Sequence, residues 1–209
     1  MTRWYSEKKH EHYYKEAKKV GYRARSAFKL IQLQKKFNII KKGDVVIDLG
    51  AAPGGWSQIA TKTTGDTGLV ISIDLLPIKP IENVRIIQGD VTKTETIEKI
   101  KQLLEDKKAD VILSDMSPDI SGNYSVDHAR SLYLCEQALD TTNYLLKTNG
   151  TFICKLFEGE DTKEFINKVK QIFNAVKQYS PKASRKSSSE TYIIGKSFKT
   201  DKKYRGANP

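Results

Sequence analysis

The sequence has few of the side chains on which disulfide-bonded and metal-dependent proteins are built. It contains only two cysteines, Cys135 and Cys154, and three histidines. Two cysteines so far apart predict neither a disulfide framework nor a zinc site, and the histidines are not spaced to join them. We therefore expect two buried free thiols and no catalytic metal.

Long apolar segments are missing as well. No stretch approaches the roughly 18 consecutive apolar residues of a membrane-spanning helix, and the opening MTRWYSEKKHEHYYKE lacks the apolar core of a signal peptide. Hydrophobic residues still make up 38% of the 209 residues, which is enough for one sizeable core. The sequence therefore predicts a cytoplasmic monomer that folds as a single domain.

Positive charge is abundant and lies at the two ends. The formal net charge is +11: residues 1–42 contribute +10 (13 Lys or Arg against three Glu), residues 182–209 contribute +6 (eight against two acids), and the middle contributes −5 (15 against 20). Such segregation favours binding to nucleic acid, although a solvated lysine-rich terminus would look similar. Aromatic residues that could stack on bases or pack in the core are interleaved with the first basic segment: Trp4, Tyr5, Tyr13, Tyr14 and Tyr22.

Short apolar runs typical of buried strands alternate with amphipathic segments that have helical spacing. The predicted strands are 45–49, 69–75, 84–90, 109–116, 151–157 and 190–198, and the predicted helices are 23–37, 56–63, 94–106, 126–147 and 161–173. This alternation predicts an α/β fold in which a largely parallel sheet is covered by helices on both faces. Such sheets bind ligands at the carboxyl ends of their strands.

The turn DLGAAPGG, residues 48–55, directly follows the first predicted strand. Its glycines allow positive φ and a close approach of the backbone to a ligand, although such turns also serve only to pack a helix closely. The dinucleotide pattern G-x-G-x-x-G fails here, because Ala52 stands where its second glycine would be. Adenosine without a pyrophosphate fits better, because Asp74 ends the second strand, where it can bind both ribose hydroxyls. Asp90 follows the third strand and can hold an adenine amine.

Four charged residues stand in or beside apolar segments. Asp115 follows the fourth strand, Lys155 lies inside the fifth, Glu190 opens the last one, and Lys29 lies in the first predicted helix. A buried lysine is costly unless it is paired. For Asp115 and Lys155, a buried salt bridge and a catalytic pair are both consistent with the sequence.

In order and spacing, these residues resemble the FtsJ (RrmJ-like) family of S-adenosylmethionine-dependent ribose 2′-O-methyltransferases. The resemblance runs from about Tyr13 to Ser197 and includes VVIDLGAAPGGWSQ, SIDLLP, QGDVT, SDMSPDISG, DHARSLYLCEQAL, GTFICKLFEGED and SRKSSSETYIIG. The glycine turn alone would indicate only the broad methyltransferase superfamily. The resemblance implies a Rossmann-like fold with a seven-stranded, mostly parallel sheet, helices on both faces and an antiparallel last strand.

The resemblance also implies roles for individual residues. A catalytic tetrad would comprise Lys29, Asp115, Lys155 and Glu190. The implied S-adenosylmethionine site contains Asp48, Gly50, Ala51, Pro53, Gly54, Gly55, Trp56, Asp74, Leu75, Asp90, Val91 and Asp115. The single domain then divides into a basic N-terminal helical segment (1–42), a catalytic core (43–198) and a flexible basic tail (199–209).

Lys155 is the natural base to take the proton of a ribose 2′-hydroxyl. A lysine is ordinarily charged at neutral pH; burial and the like charge of Lys29 favour the neutral amine, whereas Asp115 and Glu190 favour the charged one. A charged Lys155 would instead stabilise the negative charge that develops on the oxygen. The sequence leaves both roles open.

The implied substrate is RNA, lying along the basic residues 1–42. Family members modify ribosomal RNA, tRNA anticodon loops or mRNA caps; the short chain favours a uridine in large-subunit ribosomal RNA, with tRNA second. A non-catalytic RNA-binding assembly factor should show a broken tetrad or a blocked glycine turn, and this sequence shows neither. An NAD-dependent dehydrogenase is disfavoured by Ala52 and by the lack of a histidine in a strand-end loop to act as hydride partner.

Overall fold

The computed structural model describes residues 13–105, 107–184 and 189–199. Its seven strands form one sheet in the order β3-β2-β1-β4-β5-β7-β6. They are β1 (Val45–Leu49), β2 (Leu69–Asp74), β3 (Val84–Gln88), β4 (Ala109–Ser114), β5 (Leu146–Phe157), β6 (Phe173–Tyr179) and β7 (Glu190–Phe198). The helices are α1 (13–20), α2 (Ala27–Phe37), α3 (Gly55–Thr64), α4 (Thr94–Leu104), α5 (Tyr124–Leu145) and α6 (Thr162–Ile172).

The sheet is parallel from β3 through β5, and β7 runs antiparallel between β5 and β6. The predicted seven-stranded, mostly parallel sheet with an antiparallel last strand is therefore confirmed. In β1, Val46, Ile47 and Leu49 are fully buried, because this central strand is covered on both faces.

Each face of the sheet has its own hydrophobic core. Successive side chains of a strand point to opposite faces, so Val46 packs with the helices on one side and Ile47 with those on the other. The α4, α5 and α6 helices cover the Ile47 face, and α2 and α3 cover the Val46 face. The predicted free thiols, Cys135 on α5 and Cys154 on β5, are both buried on the α5 side and unpaired.

Several boundaries differ from the predicted ones. Helix α2 begins at Ala27, four residues later than predicted, and α5 ends at Leu145, where β5 starts. The predicted start of β5 was residue 151, because the exposed residues 147–149 read as the end of a helix and a turn. The apolar pattern located six strands and not β6, an edge strand in which only Phe173 is buried.

Part of the predicted organisation lies outside the described residues. This applies to residues 1–12, with Trp4 and Tyr5, and to all of the predicted tail except Lys199. Within the described ranges, no helix has the length and apolar character needed to cross a membrane.

Candidate active site

An open cavity of ≈ 930 Å³ lies at the carboxyl ends of the parallel strands, next to the first half of α5. Strand ends and the loops that follow them supply most of its lining. Of the residues predicted to bind the cofactor, those that line the cavity are Gly50, Asp74, Leu75, Asp90, Val91 and Asp115. The cavity therefore lies at the edge of the sheet where the sequence placed the ligand.

Gly50 shapes the floor of the cavity. Its φ is +69°, and a Cβ at this position would lie 2.4 Å from Met116 Cγ, which also lines the cavity. Only glycine tolerates both the backbone angle and the contact. The turn therefore brings β1 and the end of β4 together beneath the ligand site.

Two carboxylates on the cavity wall are held by backbone hydrogen bonds. Asp74 accepts from Ala52 N and from Leu76 N, both at 2.8 Å. Asp90 accepts from Thr92 N at 2.9 Å and from the Thr92 hydroxyl at 2.8 Å. The backbone bond from Thr92 is the main cause of the lowered pKa of Asp90. Both groups keep lone pairs for further donors such as hydroxyls and amines.

Six residues predicted for the cofactor site do not line the cavity: Asp48, Ala51, Pro53, Gly54, Gly55 and Trp56. Trp56 is 2% exposed and belongs to the core beneath α2. Its ring stacks on Tyr192 with 5.6 Å between ring centroids, and its Nε1 donates to Ser26 O at 2.9 Å. In this geometry Trp56 is a packing residue that connects the turn to α2 and β7.

Asp48 lies buried below the glycine turn. Its Oδ2 accepts a 2.6 Å hydrogen bond from the Ser57 hydroxyl, whose oxygen accepts from the Ser72 hydroxyl at 2.7 Å. Burial raises the pKa of Asp48 to about 7, helped by the charges of Asp115 and Asp74 and opposed by the Ser57 bond. Within the described chain, Oδ1 has no hydrogen-bond partner.

The four predicted tetrad residues form two ion pairs. Lys29 Nζ lies 2.7 Å from Glu190 Oε1 and 2.8 Å from Oε2. Lys155 Nζ lies 3.2 Å from Asp115 Oδ1 and donates to the main-chain oxygen of Asp115 at 2.7 Å. The two lysines are 5% and 7% exposed, so both charges are almost removed from water.

Sheet register brings these residues to one place. Lys155 on β5 lies opposite Tyr192 on β7, and Ser114 lies beside Cys154, which sets Asp115 level with Lys155. Side chains level with each other on neighbouring strands point to the same face. Glu190, two residues before Tyr192, also points to this face, which is the one that α2 covers with Lys29.

Tyr192 joins the two ion pairs, and the sequence reasoning missed it. Its hydroxyl donates to Asp115 Oδ1 at 2.7 Å, and Lys29 Nζ lies 5.9 Å from the ring centroid. Burial, followed by the charges of Asp115 and Glu190, raises the pKa of Tyr192 well above its usual value. A signal was present in the sequence, because alternation within ETYIIG sets Tyr192 on the same face as Glu190.

Comparison with known proteins identifies the family. The model of the FtsJ-like methyltransferase family matches residues 22–198. This chain belongs to the FtsJ-like methyltransferases. It is 48% identical to the ribosomal RNA large subunit methyltransferase E of Methanocaldococcus jannaschii over 97% of this chain and 84% of that one. It is 44% identical to the enzyme of that name from Francisella philomiragia, over 94% and 96%.

A solved structure of another methyltransferase has the same architecture. A ribosomal RNA methyltransferase from Plasmodium falciparum superposes with a TM-score of 0.77 and 33% identity, covering 85% of this chain and 98% of that one. The predicted family, the Rossmann-like fold and the dependence on S-adenosylmethionine are thereby confirmed.

The cavity of this FtsJ-like chain suits S-adenosylmethionine in its chemistry. Asp74 and Asp90 offer acceptors for ribose hydroxyls and an adenine amine, and Leu75 and Val91 offer apolar surface for a base. Asp115 supplies a negative charge, which favours a sulfonium cation. The residues present therefore fit the cofactor that the family uses.

Asp115 belongs to both the cavity and the tetrad. Burial opposes its ionisation, but the charges of Lys155 and Lys29 and the hydrogen bonds from Tyr192 and Lys155 together hold its pKa below the usual value. Because Asp115 lines the cavity and also contacts Lys155, it holds the Lys155 amine beside the cofactor cavity. This arrangement can deprotonate or electrostatically stabilise a hydroxyl next to a bound donor.

The remaining sequence hypotheses concern metals and tyrosines. No group of three or more potential metal ligands occurs within the described ranges. Tyr13 and Tyr22 both pack on Phe28, with ring centroids 5.3 and 5.7 Å away, whereas Tyr14 is half exposed. For Tyr13 and Tyr22, the packing alternative is the one that the contacts favour.

Proposed function

We propose that this chain methylates the 2′-hydroxyl of a ribose, most simply a uridine, in large-subunit ribosomal RNA, with Lys155 as the base. The names of the relatives support the substrate. The chemistry is carried by one observation: Lys155 Nζ lies 3.2 Å from Asp115 Oδ1, a carboxylate that also lines the cofactor cavity.

When bound, S-adenosylmethionine would supply a methyl group attached to a sulfonium sulfur. Transfer of that methyl group to the ribose oxygen would leave the sulfur as a neutral thioether. The protein's part is to hold that oxygen in line with the methyl group and to accept its proton at Lys155 Nζ. The main-chain bond to Asp115 O fixes Nζ at the edge of the cavity.

Asp115 holds the Lys155 amine in position while also accepting a hydrogen bond from Tyr192. Asp115 Oδ1 receives its shorter bond from Tyr192, at 2.7 Å, and lies 3.2 Å from Lys155, longer than the usual 2.7–2.9 Å of a charge-assisted bond. Lys29 is in contact with both oxygens of Glu190 and also acts on Asp115. Asp115 therefore has two donors, Tyr192 and Lys155, and the charge of Lys29 nearby.

The test is methyl transfer from labelled S-adenosylmethionine to large ribosomal subunits purified from cells that lack the gene. Lys155→Ala should abolish transfer, a loss of at least about 100-fold for removal of a general base, and should leave cofactor binding by calorimetry intact. The control is Lys101→Ala, on α4 and outside the site, which should transfer at the wild-type rate.

Wild-type activity in Lys155→Ala would remove Lys155 from the mechanism. Transfer by the wild-type enzyme to tRNA from the same cells, with none to the ribosomal subunits, would replace the proposed substrate with the second candidate. We also propose that the chain acts as a cytoplasmic monomer and that RNA lies along residues 1–42, which contribute +10 and carry Lys29 into the site.

A further inference from the structure

Two large apolar side chains are exposed to solvent in the segment where the loop after β4 meets α5. Ile120 is 63% exposed and Tyr124, the first residue of α5, is 59% exposed. Within the described chain, the Tyr124 ring has no aromatic partner. Tyr124 is thus an exposed aromatic face at the start of the helix that lines the cavity.

Hydrogen bonds fix the loop before α5 and the Tyr124 side chain. The Asp127 carboxylate accepts from Ser121 N at 2.8 Å, from the Ser121 hydroxyl at 2.7 Å and from Gly122 N at 3.2 Å. These bonds attach the loop to the first turn of α5. The Tyr124 hydroxyl donates to Glu158 O. The ring is thereby tethered at its hydroxyl, and a tethered ring loses little entropy when a partner binds to its face.

The tether places the Tyr124 ring near the ends of β5 and β7. Glu158 follows β5, three residues after Lys155, and its backbone N donates to Ser189 O at 2.9 Å, next to Glu190. Tyr124 is thus attached to the two strand ends that carry half of the tetrad. A ribose whose hydroxyl reaches Lys155 lies near these strand ends, so that its own base, or the base of a neighbouring nucleotide, can reach the Tyr124 ring.

We propose that Tyr124 binds a nucleobase of the RNA by stacking, at or next to the nucleotide that is methylated. The inference rests on the proposed function, because the occupant is an RNA base. Lysine contacts with phosphates fix the strand without holding any one base, whereas an aromatic face accepts every base. Tyr124 therefore turns a base outward and presents its ribose to Lys155.

The experiment measures the affinity for a large-subunit RNA transcript at several salt concentrations. Tyr124→Ala and Tyr124→Leu should each weaken binding by about tenfold, the size expected for losing one base–aromatic stack, at every salt concentration. The slope of affinity against salt should not change, because stacking releases no counterions. Tyr124→Phe, which keeps the ring, should restore affinity to within about twofold of the wild type.

The matched control is Tyr144→Ala. Tyr144 is 48% exposed and lies on the same helix, at the end away from the tetrad, so its removal should leave RNA binding unchanged. The KM for RNA in methyl transfer should rise in Tyr124→Ala by the same factor as the dissociation constant.

Three results would overturn the inference: wild-type affinity in Tyr124→Ala, a shallower salt slope in that variant, or binding by Tyr124→Phe as weak as by Tyr124→Ala. The last would mean that the hydroxyl bond to Glu158, and not the ring, is what matters. Failure of the proposed function has a different signature, because the wild-type enzyme would then transfer no methyl group to the RNA.

Discussion

At the residue scale, the site depends on how a few buried carboxylates are kept in different states. Positive neighbours lower the pKa of Asp115, whereas burial raises that of Asp48 to about 7. Asp115 contacts two donors on side chains of β5 and β7, while Asp48 has one hydroxyl donor. Asp115 can therefore orient a lysine as a carboxylate, whereas Asp48 lies buried below the turn with a pKa of about 7.

Asp48 makes a testable contribution to the pH dependence of stability. The folded protein holds the Asp48 proton up to about pH 7, whereas the unfolded chain releases it near 3.8, so this stabilisation is full below about pH 4 and is lost as pH rises through 7. The difference corresponds to roughly 4 kcal/mol. Urea unfolding of Asp48→Asn from pH 4 to 8 should show a flatter dependence than the wild type.

The control for Asp48 is Asp66→Asn, at an exposed position just after α3, which should keep the wild-type dependence. Curves for Asp48→Asn and the wild type that stay parallel from pH 4 to 8 would show that Asp48 is ionised in the folded protein.

The sequence singled out Lys29, Asp115, Lys155 and Glu190 because charged groups in apolar segments are rare and their order matches the family, and the structure brings them together as two ion pairs. The sequence did not reveal Tyr192 as a site residue, because tyrosine is common in strands and its hydrogen bond to Asp115 depends on β7 lying beside β5. Trp56 is the opposite case: the resemblance assigned it to the cofactor, while its ring packs against Tyr192 in the core. Both outcomes depend on pairing between segments that are far apart in sequence.

At the element scale, the ends of strands and the first half of α5 supply most of the residues that line the site. Helix α5 is capped at its N-terminus by Asn123, whose side chain accepts from Ser125 N at 3.1 Å and from Val126 N at 3.3 Å. The same helix presents Tyr124 at its first residue and lines the cavity with Arg130 and Tyr133. Its start therefore sets the position of one wall of the site.

Loss of this cap should be measurable. Asn123→Ala removes the acceptor for two backbone donors and should lower the free energy of unfolding by about 1 kcal/mol, measured by urea denaturation. Asn123→Asp keeps an acceptor and places a negative charge at the helix N-terminus, so it should retain wild-type stability. Equal stability of the alanine variant and the wild type would show that the cap contributes nothing.

Strand prediction succeeded for the central strands and failed for the edge strand β6. Strands β1, β2 and β4 carry nearly continuous apolar runs, because helices cover both faces of the sheet there. Strand β6 pairs only with β7 and exposes most of its residues, so its sequence FNAVKQY lacks such a run. The start of β5 was obscured in the same way by three exposed polar residues.

At the scale of the whole molecule, charge and cavity lie so that RNA and cofactor can meet at Asp115 and Lys155. The N-terminal 42 residues contribute +10, and helix α2 within them places Lys29 beside Glu190. Asp115, which pairs with Lys155, also lines the cavity. The account therefore predicts a single methylated ribose, with the reaction dependent on Lys155.

The most direct test maps 2′-O-methyl groups, at nucleotide resolution, on total RNA from cells that lack the gene and carry either the wild-type chain or Lys155→Ala. The account predicts that one large-subunit ribosomal position, a uridine, is methylated with the wild-type chain and unmethylated with the variant. Methylation of that position by the variant, or no difference between the two RNAs at any ribose, would contradict it.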